Sequence, residues 1–383
     1  MERLSTDRRS FLKSALATGA CLAAASGPAS RPALAANGMH LAADGEQARR
    51  LPILNVSRDR AIRTVVGLRP YRAEGFVLAP ERVGEKVVVH NYGHGGAGVT
   101  LSWGVATLAA EHARNVEEKN VAVLGCGVIG LSTARVLQRR GKSVTVYARE
   151  MPPETTSNVA GALWYPTSVY DTQKISADFN ERFRLACRIS NREFQTYVGP
   201  DYGVRWIETY TLRTEAEPAG HEPAGGSELY PATRYYTDAR RAFGFPYVRL
   251  FSTMLIEPHT YLRALMRDFH TAGGQLVIKD LKSREEVAAL PERVVFNCTG
   301  LGAKALFGDQ QLVPVRGQLE VLLPQPEIDY CYLGNNSLYM FPRRDGIVLG
   351  GSFEPDNQSL EPDAKTTARI IEGHAEIAKS IRH

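Results

Sequence analysis

The chain has 383 residues, 44% hydrophobic and 23% charged, which suits about two domains with buried cores and excludes a disordered, collagenous or repeat-array protein. Its formal net charge is +5, but the first 35 residues hold five Lys/Arg against two Asp/Glu, which leaves +2 for the remainder. That near-neutral balance excludes a global pull toward nucleic acid or anionic lipid.

In chain order, DRRSFLKSALATGACLAAASG comes first, with a basic start, a short weakly apolar middle and PALA before Ala36. Residues 1–35 read as a secretory signal, too short and too rich in Ala and Gly to span a membrane. Arg8-Arg9-Ser10-Phe11-Leu12-Lys13 fits the twin-arginine pattern, so the expectation is export in a folded state to the periplasm or the medium. An ordinary signal, or a lipoprotein site at Cys21, are the alternatives. Cys126, Cys187, Cys298 and Cys331 lack metal-type spacing and are expected to be free, although export permits a disulfide.

Residues 36–57 form a leader without clear period. Residues 65–76 mix apolar residues with Arg69, Pro70 and Arg72. A strand is expected over 86–90, then the glycine-rich HNYGHGGAGVTLSWG from His90 to Gly104, and a helix over 100–114. A strand over 121–124 follows, then a second glycine-rich turn, a helix to residue 140 ended by Gly141, and a strand over 143–147. Beyond it, helices are expected over 178–198 and 261–272, an exposed loop over 215–228, and strands over 275–278, 293–297, 315–323, 338–341 and 347–352.

The strand, Gly125-Cys126-Gly127-Val128-Ile129-Gly130 and the helix make a dinucleotide-binding context. Gly125 allows the tight turn, Gly127 lets backbone approach a pyrophosphate, and Gly130 lets helix and strand pack closely. The helix N-terminus offers N–H donors and positive potential to phosphate. Glu150 lies where a carboxylate can take ribose hydroxyls, and Arg149 beside it leaves room for a 2′-phosphate. FAD, NAD and NADP all fit these residues.

Further segments carry a resemblance. VAVLGCGVIGLSTA, ETTSNVAGALWYP, VVFNCTG, RGQ, GLRPYR and HNYGHGGAGVTLSWG together resemble the D-amino-acid oxidase family of FAD flavoproteins. The resemblance implies an α/β fold: a doubly wound FAD-binding Rossmann-type domain interleaved with an antiparallel-sheet substrate domain. The expected segments are 84–166 and 255–316 for FAD, and 58–83, 167–254 and 317–383 for substrate. Implied FAD contacts are Gly125, Gly127, Val128, Ile129, Gly130, Arg149, Glu150, Thr155, Thr156, Ala160, Gly161, Leu163, Leu281, Thr299 and Gly300, with Gly93, His94, Gly95, Gly96 and Thr100 against the flavin ring. In the family the arginine and HNYGHGG motifs follow the nucleotide motif; here they precede it. The order therefore resembles a circular permutation, with old ends fused through 113–120 and new ends near His383 and Ser57.

The implied reaction is oxidation of a D-amino acid to a 2-oxo acid, ammonia and hydrogen peroxide, with oxygen as acceptor. Arg69 would clamp the substrate carboxylate through a two-pronged hydrogen bond that Lys cannot copy. Tyr247 would assist, and the Gly96 carbonyl would accept from the amine. His94, between glycines, reads as a loop-shaping or flavin-contact residue rather than a base. Arg249 leaves the side-chain preference open: in the pocket it would favour D-aspartate, toward solvent it would favour neutral D-amino acids. A non-oxygen acceptor, an NAD(P) dehydrogenase and a non-catalytic flavin-binding protein are the rival readings. Metal, nucleic acid and membrane span are not expected, and the oligomeric state is open, a homodimer included.

Overall fold

The computed structural model describes residues 49–218, 221–237 and 239–381, without the side chain of Arg241. The expected export signal lies outside them.

Two sheets organise the described residues. One has the order β2 (Val77–Val83), β3 (Lys86–Tyr92), β10 (Val294–Asn297), β4 (Asn120–Leu124), β5 (Ser143–Ala148), β9 (Gln275–Ile278). All its ladders are parallel except β2–β3. Parallel strands must be covered on both faces, so they read as continuous apolar runs. Period-two alternation then sorts each run between two cores: Val121, Val123, Val294 and Phe296 enter one, while Ala122, Leu124 and Val295 enter the other. Helices α1 (Gly98–Glu111) and α2 (Val128–Arg139) pack on the first of these, and α3 (Ala177–Gln195) packs on α1. Ser176 caps α3 by accepting from the Phe179 N–H.

The other sheet runs β1 (Ala61–Arg72), β11 (Leu312–Leu322), β14 (Gly346–Gly350), β13 (Tyr339–Arg343), β12 (Tyr330–Leu333), β6 (Val204–Arg213), β8 (Tyr247–Ile256), β7 (Arg234–Thr237), with β15 (Glu354–Pro355) on β11. It is antiparallel except for β12–β6. The observed strands do not respect the expected segment limits: β2 joins the parallel sheet rather than the substrate sheet, because its register with β3 runs from Val77–Tyr92 to Val83–Lys86.

The RGQ motif proves to be scaffold. Arg316 on β11 is 1% exposed and pairs with Glu354 at 2.9 Å and Gln318 at 2.9 Å. Gln318 donates to Glu320 and to Thr367 on the helix Ala364–Ser380, which ties that helix to the sheet. Buried charges persist when paired and hydrogen-bonded in this way. Leu51 and Leu54 of the leader pack with Ile370, Ile377 and Ile381. The four cysteines of the described residues are free and buried. Among these residues no helix is long and apolar enough to cross a membrane.

Candidate functional site

The two glycine-rich stretches meet on one cavity of about 1010 Å³. Strand β3 delivers the first. It sits beside β10, which sits beside β4, so the C-terminal ends of β3 and β4 are brought to the same edge, where ligands collect in open parallel sheets.

At the second stretch, Gly125 has φ +97°, and a Cβ there would lie 2.6 Å from the Cys298 carbonyl oxygen. Only glycine accepts both demands. A Cβ on Gly130 would run into the Gly125 oxygen, so Gly130 serves packing behind the cavity rather than lining it. On Gly127 a Cβ would meet only Ser157 Oγ, at 3.1 Å. That glycine leaves open a cradle at the N-terminus of α2, where N–H groups attract an anion. Ser157 Oγ accepts from the Val128 N–H at 3.0 Å; sequence reading missed it, although it lies inside a quoted motif.

Val128, Ile129, Arg149, Glu150, Thr155, Thr156, Ala160, Gly161, Leu163, Leu281, Thr299 and Gly300 all line the cavity. Arg149 Nε donates to Glu150 Oε1 at 3.1 Å, both exposed. Thr299 is held by Asn297 through its N–H and hydroxyl, at 3.2 and 2.7 Å. Lys279, Asp280 and Lys282 flank Leu281 on the rim.

At the first stretch, Gly93, His94, Gly95 and Gly96 line the cavity. Gly95 has φ +56°, a Cβ on it would collide with the Ser168 carbonyl, and the Gly96 N–H donates to that carbonyl at 3.1 Å. His94 is fully buried, stacks on Phe76 at 5.1 Å and leaves Nε2 without a partner among the described residues. Burial pushes its pKa down to about 3, so at neutral pH it is an uncharged imidazole with hydrogen-bonding capacity to spare.

Arg69 on β1 lies beside these glycines, its Cδ 3.6 Å from where a Gly96 Cβ would be. Nη1 donates to the carbonyls of Arg316 and Ser352, both at 3.3 Å, and Phe353 lies 5.9 Å from the guanidinium. No carboxylate of the described residues pairs with it. Gly67 and Gly317 face each other across the β1–β11 ladder, and a Cβ on Gly317 would sit 2.6 Å from Arg69 Cζ. Gly317 is what lets the guanidinium lie against the strands, whereas a Cβ on Gly67 would meet Val159 instead.

Besides Gly130, two expected contacts are corrected. Thr100 does not line the cavity: it is buried in α1 and its hydroxyl donates to the Leu163 carbonyl at 3.3 Å. Tyr247 does not line it either. It opens β8, between Arg213 of β6 and Thr237 of β7, and Tyr165 and Thr211 form the wall in front of that region. Arg249 takes neither expected position. It is 3% exposed, paired with Glu217 at 3.1 Å, and donates to the Tyr165 hydroxyl at 3.1 Å.

The cradle at Gly127, the orphaned His94 nitrogen and the length of the cavity between them fit an elongated dinucleotide with a flat ring system at its far end. Known proteins agree. Residues 120–381 match the family described as DAO, FAD dependent oxidoreductase. The chain is 32% identical over 266 residues to a D-amino-acid oxidase of Rubrobacter xylanophilus, covering 65% of this chain and 74% of that one. It is 33% identical over 256 residues to a D-amino-acid oxidase of Streptomyces coelicolor, covering 66% and 75%. Among solved structures, glycine oxidase from Geobacillus kaustophilus superposes with a TM-score of 0.53 at 18% identity, over 68% of this chain and 78% of the other.

Proposed function

The chain belongs to the DAO family of FAD-dependent oxidoreductases, and on that premise we propose that it oxidises D-amino acids, converting amino acid, water and oxygen to 2-oxo acid, ammonia and hydrogen peroxide. The observation that carries the substrate class is Arg69, a guanidinium on the cavity wall that is held by two backbone carbonyls and has no anionic partner among the described residues. A carboxylate would complete it bidentately. The relatives described as D-amino-acid oxidases support the same reading.

Bound FAD supplies a hydride acceptor. The residues of the chain do the rest by position. The backbone of Gly127 and the first turn of α2 would take the pyrophosphate, and Gly93–Gly96 would close on the ring. Arg69 would fix the substrate carboxylate, and the Gly96 carbonyl beside it would accept from the amine, leaving Cα between them and the ring. No side chain is required as a base. His94, uncharged at neutral pH, would hold a ring atom by hydrogen bond. Rate then comes from orientation and fixed dipoles.

Anaerobic addition of D-alanine should bleach the oxidised flavin while L-alanine leaves it unchanged, and readmitted oxygen should yield peroxide. Bleaching by the L-form alone would overturn the reading; bleaching without peroxide would assign another acceptor. The same reading has the protein exported, so the flavin absorbance is expected outside the cytoplasmic fraction.

We also infer that the element order is permuted relative to the family. The family match begins at residue 120, yet β1 and β3, which precede it, are built into both sheets and carry Arg69 and the HNYGHGG loop. The leader and the end of the helix Ala364–Ser380 share one groove, formed by Leu54, Val56, Ala378 and Ile381. Neighbouring ends are what permutation requires.

A further inference from the structure

We propose that Glu217 neutralises Arg249 at the side-chain end of the cavity and so makes the site select neutral over acidic D-amino acids. The inference rests on the D-amino-acid reading above and deepens it. Arg249 faces Thr211 across the β6–β8 ladder, and Thr211 and Tyr165 both line the cavity. The guanidinium is thus one hydroxyl away from the space a substrate side chain would fill, with Nη2 on the Tyr165 hydroxyl and Phe251 at 5.2 Å. Its Nε has no partner among the described residues, nor does the Thr211 hydroxyl, and both atoms are buried.

Among the described residues the charge is met by one carboxylate. Glu217 approaches Nη1 at 3.1 Å, itself largely buried, and Arg213 lies 3.9 Å from the same carboxylate oxygen. Tyr235 faces Arg249 from β7. A buried cation with its counter-ion in place offers little to a second anion, because an incoming carboxylate would meet Glu217 as a like charge at Arg249, while Arg213 stands farther from Glu217 and is more exposed. Without Glu217 the same cation would stand uncompensated beside the cavity, and a carboxylate on the substrate side chain would be the group that compensates it. The site would pass from rejecting acidic side chains to recruiting them.

Glu217→Gln tests this in the flavin-loaded enzyme. D-Glutamate and D-glutamine have nearly the same shape, as do D-aspartate and D-asparagine, so the acid-to-amide ratio of kcat/KM reports side-chain charge and polarity with size held constant. The parent is expected to favour the amides. In Glu217→Gln the ratio should rise at least about tenfold, and Glu217→Asp should keep the parent ratio. Arg249→Met, which strands the carboxylate instead, should push the ratio the other way. Ligand binding gives a second readout that needs no turnover: succinate should raise the Tm of Glu217→Gln above the shift given by propionate, and should not do so for the parent. A folded, flavin-loaded Glu217→Gln with an unchanged ratio overturns the proposal, as does a parent that prefers the acids. If Glu217→Gln does not fold, an unmoved ratio in Arg249→Met overturns it equally. A parent that oxidises no D-amino acid would instead sink the reading beneath it, and the succinate arm would still decide the role of Glu217.

Discussion

His94 shows what burial does to a residue that invites a catalytic role. An imidazole between two glycines at a cavity looks like a base, yet its pKa is driven down to about 3, so it is uncharged where an oxidase works. The consequence is a stability that depends on pH. The unfolded chain takes a proton on this ring below pH about 6.5, while the folded chain does not until pH approaches 3. Stability is therefore full above about 6.5 and is lost as pH falls through that window, by something of the order of 4 kcal/mol. His374, hydrogen-bonded between Tyr332 and the Gly350 carbonyl and pushed down to about 4, adds to the loss between about pH 6.5 and 4. Urea unfolding at pH 7 and pH 4 should show a smaller drop for His94→Asn than for the parent; equal drops would contradict the assignment. Residues whose role is set by backbone were visible in the sequence, since glycine at a turn and arginine in a known motif announce themselves. Tyr247 and Thr100 were misplaced because their position turns on which strand or helix face meets the cavity. Glu217 lay in a loop rich in Pro and Gly, with nothing local to connect it to Arg249 more than thirty positions on.

Among elements, β4, α2 and β5 were read almost to their observed ends, because a buried parallel strand and an amphipathic helix both carry strong periods. Strand β1 was not. Its 12 residues include Arg63, Arg69, Pro70 and Arg72 and are mostly half-buried, so no alternation of apolar and polar marks it. What makes it a strand is its long ladder with β11, a tertiary cause that no local window contains. The helix Ala364–Ser380 was not read as an element, although Ile370, His374 and Ile377 fall on one face. Order is a separate matter from identity. A chain cut between α1 and β4, with residue 381 joined to residue 49 through a short linker, restores the order ascribed to the family. It should fold with a flavin affinity within about threefold of the parent, because the cut falls at an exposed connection and the joined ends share a groove. A reordered chain with native circular dichroism that binds no flavin would refute the permutation.

For the whole molecule, the account places one cavity where the C-terminal edge of the parallel sheet meets the wall built by β1 and β11. The parallel sheet contributes the glycine-rich backbone at the N-terminus of α2, and the antiparallel sheet contributes Arg69 and the polar ladder behind it, from Arg316 to Thr367. Each half alone would be incomplete: a nucleotide cradle with nothing to hold a substrate, or an arginine with no acceptor beside it. The measurement that tests this most directly is a crystal structure of the flavin-loaded protein with propionate bound. The account predicts the pyrophosphate at Gly127 and the first turn of α2, the ring against Gly93–Gly96, and the carboxylate on Arg69 at about 3 Å. A ring lying elsewhere, or a carboxylate held by other residues while Arg69 keeps only the Arg316 and Ser352 carbonyls, would contradict it.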